Sequence, residues 1–149
     1  MNKNEIIQIQ GMEYKEMTKQ LLNKCALATL IPSKVSLIGI KPNLVAPVPA
    51  EFGGTTHPEV VAGIIEYLQE NGFTNLQIME GSWVGDKTEE SFEVCGYRML
   101  RNSTAFRLSM RRRKKACRCS VVIWNFKFAN VRKRWIYDQC PGHERPLPD

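Results

Sequence analysis

The sequence contains no apolar run of the roughly 20 residues that a membrane-spanning helix requires. Its first residues, MNKNEIIQIQGMEYKE, mix acidic and apolar side chains, whereas a signal peptide has an uninterrupted apolar stretch. The five cysteines are odd in number and irregularly spaced, which excludes the disulfide framework of a small secreted domain. These absences predict a soluble cytoplasmic protein that has no membrane partner.

Motifs for metals and nucleotides are missing as well. Cys117 and Cys119 are separated by one residue, which is too close for the usual zinc spacing, and only His57 and His143 could complete such a site. The chain has no Gly-x-Gly-x-x-Gly sequence and no Walker loop. We therefore expect no metal and no other cofactor in this chain, and we find no motif for a bound nucleotide.

Acidic residues are scarce in the last third of the chain. Residues 1–100 contain 8 Lys and Arg against 12 Asp and Glu, a net charge of −4, whereas residues 101–149 contain 13 against 3, a net charge of +10. The net charge of the whole chain, +6, is therefore a property of the tail alone. The two parts are expected to differ in kind: residues 1–100 as the N-terminal part of an α/β domain, and residues 101–149 as a basic tail that is not a true domain.

Two strands and a helix between them are predicted from the apolar pattern. The run KVSLIGIK, residues 34–41, is short, apolar and β-branched, and NLQIME, residues 75–80, has the same character, which predicts two buried strands. An earlier amphipathic helix is predicted from Glu13 to about Leu30, where apolar residues recur at three- and four-residue steps. Strand, helix and strand in this order predict a βαβ unit of a parallel sheet, so the fold class is α/β, with an incomplete sheet and an irregular or disordered tail after about residue 100.

The helix between the strands has clear signals at both ends. Thr56 and Glu59 have the spacing of a capping box, and Pro58 suits the first turn because its missing N–H would be unpaired there anyway. Gly72 follows Asn71 at the position where a helix commonly ends in the left-handed conformation. A second, shorter helix is predicted from about Lys87 to Val94.

The loops after the two strands are the candidate binding site, because ligands of open parallel sheets bind outside the carboxyl ends of the strands. A lysine, a carboxylate and the backbone amides of a helix start could hold an anionic group or a metal-bound ligand. The candidate ligand-binding residues are Lys41, Asn43, Thr55, Thr56, His57, Glu80 and Ser82. Any one of these residues, taken alone, has a simpler interpretation as a solvated, capping or strand-ending residue.

No residue can be assigned as catalytic. Cys95 adjoins the helix-ending Gly96 on a face that is expected to pack, and a free cysteine usually behaves as a small buried apolar residue. His57 could be a neutral ligand or base near a helix start, or simply a surface residue. Catalysis by this chain is therefore not expected.

Several segments resemble the domain-of-unknown-function family 362. They are IKPNLVAP (residues 40–47), GGTTHPEVVAGIIEYLQENGFTNLQIMEGSW (residues 53–83) and TEESFEVCGYRML (residues 88–100), and the resemblance spans about residues 34–100. The resemblance implies a prokaryotic cytoplasmic α/β protein of unassigned activity, with some relatives fused to ferredoxin-like iron–sulfur domains. An iron–sulfur cluster is thus implied for intact relatives only, because this chain has no C-x-x-C-x-x-C run.

Past Leu100 the resemblance to the family ends, and displaced reading frames recover it. Read one base out of frame, Phe106 to Ala116 permits PFVDAQKEKG, and Val121 to Val131 permits GDLELQICEC. In the other frame Ile136 to Asp149 permits FMINVPVMKGHCQ, which contains the family's NVPV segment. We therefore interpret the chain as a truncated fragment of a family-362 protein, without activity of its own, whose frame changes after about Leu100.

The alternative hypothesis is a nucleic-acid-binding protein. Basic side chains could neutralise phosphates, and an aromatic ring among them could stack on a base. The residues are Arg111, Arg112, Arg113, Lys114, Lys115 and Trp124. The tail matches no known nucleic-acid-binding motif, and its charge alone would bind polyanions without specificity.

Overall fold

The computed structural model describes the backbone of residues 6–80, 87–103, 107–110, 121–124 and 127–129, and the side chains of residues 6–80 and 87–100. Over these residues the chain forms five α-helices, one 3₁₀ turn and five strands. Helices and strands alternate along much of the chain, so the predicted α/β class is confirmed.

The predicted βαβ unit is present. Strand β1 (Ile38–Lys41) is followed by the 3₁₀ turn Ala50–Phe52, by α3 (Pro58–Glu70) and by β2 (Leu76–Glu80). The two strands are parallel, with Ile38 beside Leu76 and Ile40 beside Ile78. Both strands therefore end at the same edge of the sheet, as the prediction of the site requires.

Further strands extend the sheet on both sides of this unit. Strand β3 (Arg107–Met110) runs parallel to β2, β4 (Val121–Trp124) runs parallel to β1, and β5 (Lys127–Ala129) pairs with β4 in the antiparallel sense. The order across the sheet is β3-β2-β1-β4-β5. The tail, for which irregular or disordered chain is predicted, thus contributes three strands of three or four residues. Its other residues, apart from the end of a helix at Ser103, lie outside the described residues.

The hydrophobic core lies between α3 and the sheet. The apolar face that the sequence predicts for this helix is buried, because it packs against the alternate, inward-facing residues of β1 and β2. Each fully buried aliphatic side chain of this kind contributes about 1.5–3 kcal/mol of transfer free energy. The residues concerned are Val61, Ile64, Ile65 and Leu68 of the helix and Ile38, Ile40, Leu76 and Ile78 of the strands.

The first helix is broken where the sequence predicts a continuous one. Helix α1 (Tyr14–Lys24) and helix α2 (Leu27–Leu30) are separated by Ala26, whose φ of +49° is left-handed. The break exposes the amide of Ala28, which donates to the hydroxyl of Tyr67 at 3.1 Å. Periodicity did not reveal the break because the apolar spacing continues through it.

Two local predictions are wrong in detail. Only the last four residues of the predicted strand 34–41 form β1, because its partner β2 begins at Leu76, which lies opposite Ile38. The capping box at Thr56 does not form either: His57 is the N-cap of α3, and no side chain caps that end. The Thr56 hydroxyl is used elsewhere, since it accepts a hydrogen bond from the amide of Asn43.

The predicted helix ends are confirmed. Gly72 follows α3 with a φ of +78°, and the amides of Gly72 and Phe73 donate to the carbonyls of Gln69 and Leu68 at 2.9 Å each. The same double hydrogen bond closes α4 (Thr88–Val94), where Gly96 has a φ of +76°. This is the Schellman arrangement, in which glycine is favoured because it has no Cβ. Helix α5 (Arg98–Ser103) follows directly.

Helix α1 packs closely across α3. A Cβ atom at Gly63 would lie 2.7 Å from the carbonyl oxygen of Lys15 and 2.9 Å from Cβ of Thr18, so the crossing point requires glycine. Beside it, Nζ of Lys19 donates to carboxylates of Glu70 at 2.7 Å and Glu66 at 2.9 Å. These hydrogen bonds raise the pKa of Lys19, and those from Lys19 and then Lys15 lower the pKa of Glu66. Among the described residues, no helix is both long enough and apolar enough to cross a membrane.

Candidate functional site

The carboxyl end of β2 carries a buried acid. Along this strand Leu76, Ile78 and Glu80 are buried, whereas the intervening Gln77 and Met79 are half-buried. Glu80 thus continues the inward-facing alternation of a strand that is otherwise apolar on this face, and only 5% of its surface is exposed. A carboxylate in such a position requires polar partners, because burying an unpaired charge costs several kcal/mol (~3–5 kcal/mol when one partner of a buried pair is removed).

Lys41 provides such a partner from the end of the neighbouring strand. Its Nζ donates to both carboxylate oxygens of Glu80, at 2.7 and 2.9 Å. The side chain of Lys41 is 15% exposed and that of Glu80 is 4% exposed. The two residues that the sequence predicts at the ends of β1 and β2 therefore form one largely buried ion pair at the carboxyl edge of the sheet.

The loop that leaves β1 is closed at its neck by two of the predicted residues. The amide of Thr56 donates to the carbonyl of Asn43, and the amide of Asn43 donates to the hydroxyl of Thr56, both at 2.9 Å. The side-chain amide of Asn43 also donates to the carbonyl of Gly54 at 3.0 Å. Because Asn43 lies two residues beyond Lys41, this neck adjoins the ion pair in the chain.

Within the same loop, Val48 is a shared acceptor. The buried hydroxyl of Thr55 donates to its carbonyl at 2.9 Å, and Sγ of Cys95 lies 3.3 Å from the same oxygen. Cys95 is a free, buried cysteine in contact with the loop. The structure therefore agrees with the packed interpretation of Cys95, and it assigns Thr55 to holding the loop together.

Tyr97 ties the neck of the loop to the end of α4. It is fully buried, and its hydroxyl donates to the carbonyl of Thr56 at 2.9 Å. Burial raises the pKa of Tyr97, and the nearby carboxylates of Glu59 and Glu80 raise it further. The hydroxyl consequently stays protonated and remains a donor at neutral pH.

His57 is directed towards helix α1. Its ring stacks on that of Tyr14, with 4.3 Å between the centroids, and its Nδ1 lies 4.0 Å from a carboxylate oxygen of Glu59. His57 is the N-cap residue of α3 and therefore lies just before the helix, near its start as the sequence predicts. The observed contacts of His57 connect the start of α3 with the start of α1.

The remaining predicted residues lie wholly or partly outside the described residues. Ser82 and the basic run 111–115 fall in undescribed segments, and of Trp124 only the backbone is described, at the end of β4 beside Lys41. Within the described part of the chain, no three His, Cys, Asp or Glu side chains are grouped so that they could hold a metal ion.

Comparison with known proteins places the chain in a family. The family model described as "Domain of unknown function (DUF362)" matches residues 38–133, which is more than half of the chain. The protein therefore belongs to the DUF362 family. Neither the curated proteins nor the solved structures that were searched contain a match. The family match extends beyond Leu100, the last residue of the predicted resemblance, and so includes β3, β4 and β5.

Sequence reasoning missed the part played by Tyr97. The Gly96-Tyr97 pair belongs to the segments that carry the family resemblance, but helical periodicity marks it only as a helix end. The available signal was an aromatic residue directly after a helix-ending glycine, which is the position that folds back onto the helix in a Schellman motif. Its hydrogen bond to Thr56 joins positions 41 residues apart, which no local pattern reveals.

Proposed function

We propose that the carboxyl edge of β1 and β2 binds a small anionic or metal-associated ligand. The observation that carries this proposal is the ion pair of Lys41 and Glu80 at the ends of two adjacent parallel strands. As a source of stability, such a pair is a poor choice, because a well-packed apolar pair of similar volume is often equally stabilising. This pair, however, lies at the edge where open parallel sheets bind ligands, and charged groups held in place there can contact a charged ligand.

The opposite charges of the pair favour a ligand that carries both signs. The ammonium group of Lys41 can bind a phosphate or carboxylate group as a point charge. The carboxylate of Glu80 can contact a divalent cation that the ligand brings with it, since Mg²⁺ is commonly held by one or two carboxylates together with phosphate oxygens and water. A single carboxylate is too small a ligand set for a resident metal, so the cation belongs to the ligand in this proposal.

Binding can be tested on the full chain with inorganic phosphate, with and without Mg²⁺, by isothermal titration calorimetry. Lys41→Met removes the cation, and we expect the phosphate affinity to fall by about tenfold or more, since a hydrogen bond to a charged group contributes roughly 1.5–3 kcal/mol. Lys41→Arg keeps the charge and should retain most of the affinity.

Lys19→Met is the matched control. Lys19 is also paired with carboxylates, and its side chain is 16% exposed against 15% for Lys41, but it lies between α1 and α3. We expect this variant to bind phosphate like the unmodified chain. Equal affinities in Lys41→Met and the unmodified chain, with both folded, would show that the pair is structural and would refute the proposed function.

We also propose that this chain is a fragment whose reading frame changes after about Leu100, so that it has no catalytic activity. The change of net charge from −4 in residues 1–100 to +10 in residues 101–149 supports this proposal, as does the recovery of NVPVMKGH from a displaced frame. Residues 1–100 would then be the genuine domain part, in the cytoplasm, and residues 101–149 a translation product of the wrong frame; the family match of the sequence as written, which continues to residue 133, counts against this proposal. Resequencing the encoding DNA beyond the Leu100 codon tests it, and an unchanged frame would refute it.

A second candidate function is nucleic-acid binding by the tail. One observation favours it: Met110, the last residue of β3, lies beside Glu80 at the carboxyl edge of the sheet, and the basic run 111–115 comes next in the sequence. A binding module should prefer particular sequences, whereas a merely basic segment should bind all single strands alike and lose affinity as salt rises. Measurements on several oligonucleotides of equal length, at two salt concentrations, separate these outcomes.

A further inference from the structure

The family segments around Lys41, Thr56, Glu80 and Tyr97 are far apart in the sequence but converge in the structure. Tyr97 occupies the position after Gly96 at the end of α4, where a Cβ on Gly96 would lie 3.4 Å from Cγ of Pro58. The end of α4 thus abuts the start of α3. This contact brings the Tyr97 hydroxyl to the carbonyl of Thr56.

From Tyr97, hydrogen bonds continue towards the ion pair. The tyrosine hydroxyl holds the carbonyl of Thr56, and the amide and hydroxyl of Thr56 form the two hydrogen bonds with the backbone of Asn43. Asn43 is connected to Lys41 only through Pro42, whose ring fixes its own φ and restricts the residue before it. A displacement of Thr56 is therefore transmitted to the end of β1 with little freedom to absorb it.

We propose that Tyr97 is a positioning residue of the carboxyl-edge site, which acts through Thr56 and Asn43 to hold Lys41 in the geometry that receives an anion. This inference rests on the proposed function of that site. The inference gives Tyr97 a role in the site, whereas the sequence of the Gly-Tyr segment predicts only that a helix ends there. Tyr97 itself is fully buried and acts without touching the ligand.

The chain contains a matched control for the test. Tyr67 is 2% exposed, and its hydroxyl also has a hydrogen bond to the backbone, from the amide of Ala28 at 3.1 Å, but it lies on the side of α3 that faces α2. Tyr97→Phe and Tyr67→Phe each remove one buried hydroxyl and one such hydrogen bond. Both should lower the midpoint of thermal unfolding to a similar extent.

Only Tyr97→Phe should alter the site. At metal sites, removing a residue that hydrogen-bonds to a ligand residue commonly lowers the affinity 10- to 100-fold. Tyr97 acts on Lys41 through two further residues, so we expect a smaller effect: the dissociation constant for inorganic phosphate should rise about three- to tenfold in Tyr97→Phe. Hydrogen exchange of the Asn43 amide should also accelerate in Tyr97→Phe and stay unchanged in Tyr67→Phe. Should Tyr97→Phe fail to fold, Thr56→Val removes the acceptor of the Asn43 amide and should weaken phosphate binding to a similar extent.

The outcomes separate this inference from the proposed function. If the unmodified chain binds phosphate in a Lys41-dependent way but Tyr97→Phe binds it equally well, Tyr97 is merely structural and the inference is overturned. If phosphate binding is absent or independent of Lys41, the proposed function fails and the positioning role fails with it. Unchanged exchange of the Asn43 amide in Tyr97→Phe would refute the hydrogen-bonded link itself, whatever the binding result.

Discussion

The crossing of α1 over α3 at Gly63 gives a stability prediction whose two opposing terms can both be estimated. Gly63→Ala places a Cβ 2.7 Å from the carbonyl oxygen of Lys15 and 2.9 Å from Cβ of Thr18. Ordinary contacts need roughly 3.5 Å, so the helices must separate by about 0.5–1 Å. Because the first of these atoms belongs to backbone and the second is fixed directly to it, neither can turn away as the tip of a flexible side chain would.

Overpacking of this kind costs about 1–3 kcal/mol, while replacing glycine by alanine inside a helix contributes about 1 kcal/mol in the other direction. Because the atoms on both sides of the contact are rigid, we expect the overpacking cost to lie near the upper end, about 3 kcal/mol. We therefore expect a net loss of about 2 kcal/mol in the free energy of unfolding, and a fall in the melting temperature on the order of 5–10 °C.

Urea denaturation followed by circular dichroism measures this loss, with Gly54→Ala as the control. Gly54 has open space around its missing Cβ, so its substitution should change the free energy of unfolding by less than about 0.5 kcal/mol. Adding Thr18→Ala to Gly63→Ala removes the methyl contact at 3.2 Å but also the hydroxyl that donates to the carbonyl of Tyr14 at 2.7 Å, so it should recover at most a minor part of the loss. A Gly63→Ala variant as stable as the unmodified chain would show that the helices do not cross at this point.

Three further predictions concern single residues of the described part. Ala26 has a left-handed φ of +49°, so Ala26→Gly should raise the free energy of unfolding by about 0.5–1 kcal/mol, as measured by urea denaturation. Lys19 and Lys15 lower the pKa of Glu66, so the charged Glu66 should stabilise the fold above pH 4.5, and this stabilisation should disappear as the pH falls through the lowered pKa. Glu66→Gln should therefore be less stable than the unmodified chain at about pH 7 and equally stable at about pH 2. Lys41→Met should lose about 3–5 kcal/mol by leaving Glu80 buried without this partner, and adding Glu80→Leu should recover most of it; a double variant that recovers nothing would contradict the pairing.

Local sequence patterns predict those elements whose geometry depends on neighbouring residues only. The apolar face of α3, the glycine-ended helices and the two inward-facing strands are of this kind, because helix period, strand alternation and left-handed glycines are local properties. The break at Ala26 and the failed capping box escaped prediction for the opposite reason. In each case a distant partner, Tyr67 for the amide of Ala28 or Asn43 for the hydroxyl of Thr56, provides a hydrogen bond that the local pattern does not reveal.

The sequence by itself determined the α/β class, the order of strand, helix and strand, and the position of Lys41 and Glu80 at strand ends, since parallel strands joined by one helix must end at the same edge. Only the tertiary structure decided which side chains meet there. It joins Lys41 to Glu80, closes the loop through Asn43 and Thr56, and brings Tyr97 to that neck. The physical reason is that a buried charge or hydroxyl takes whichever partner packing brings within hydrogen-bonding distance, and packing brings together residues that are far apart along the chain.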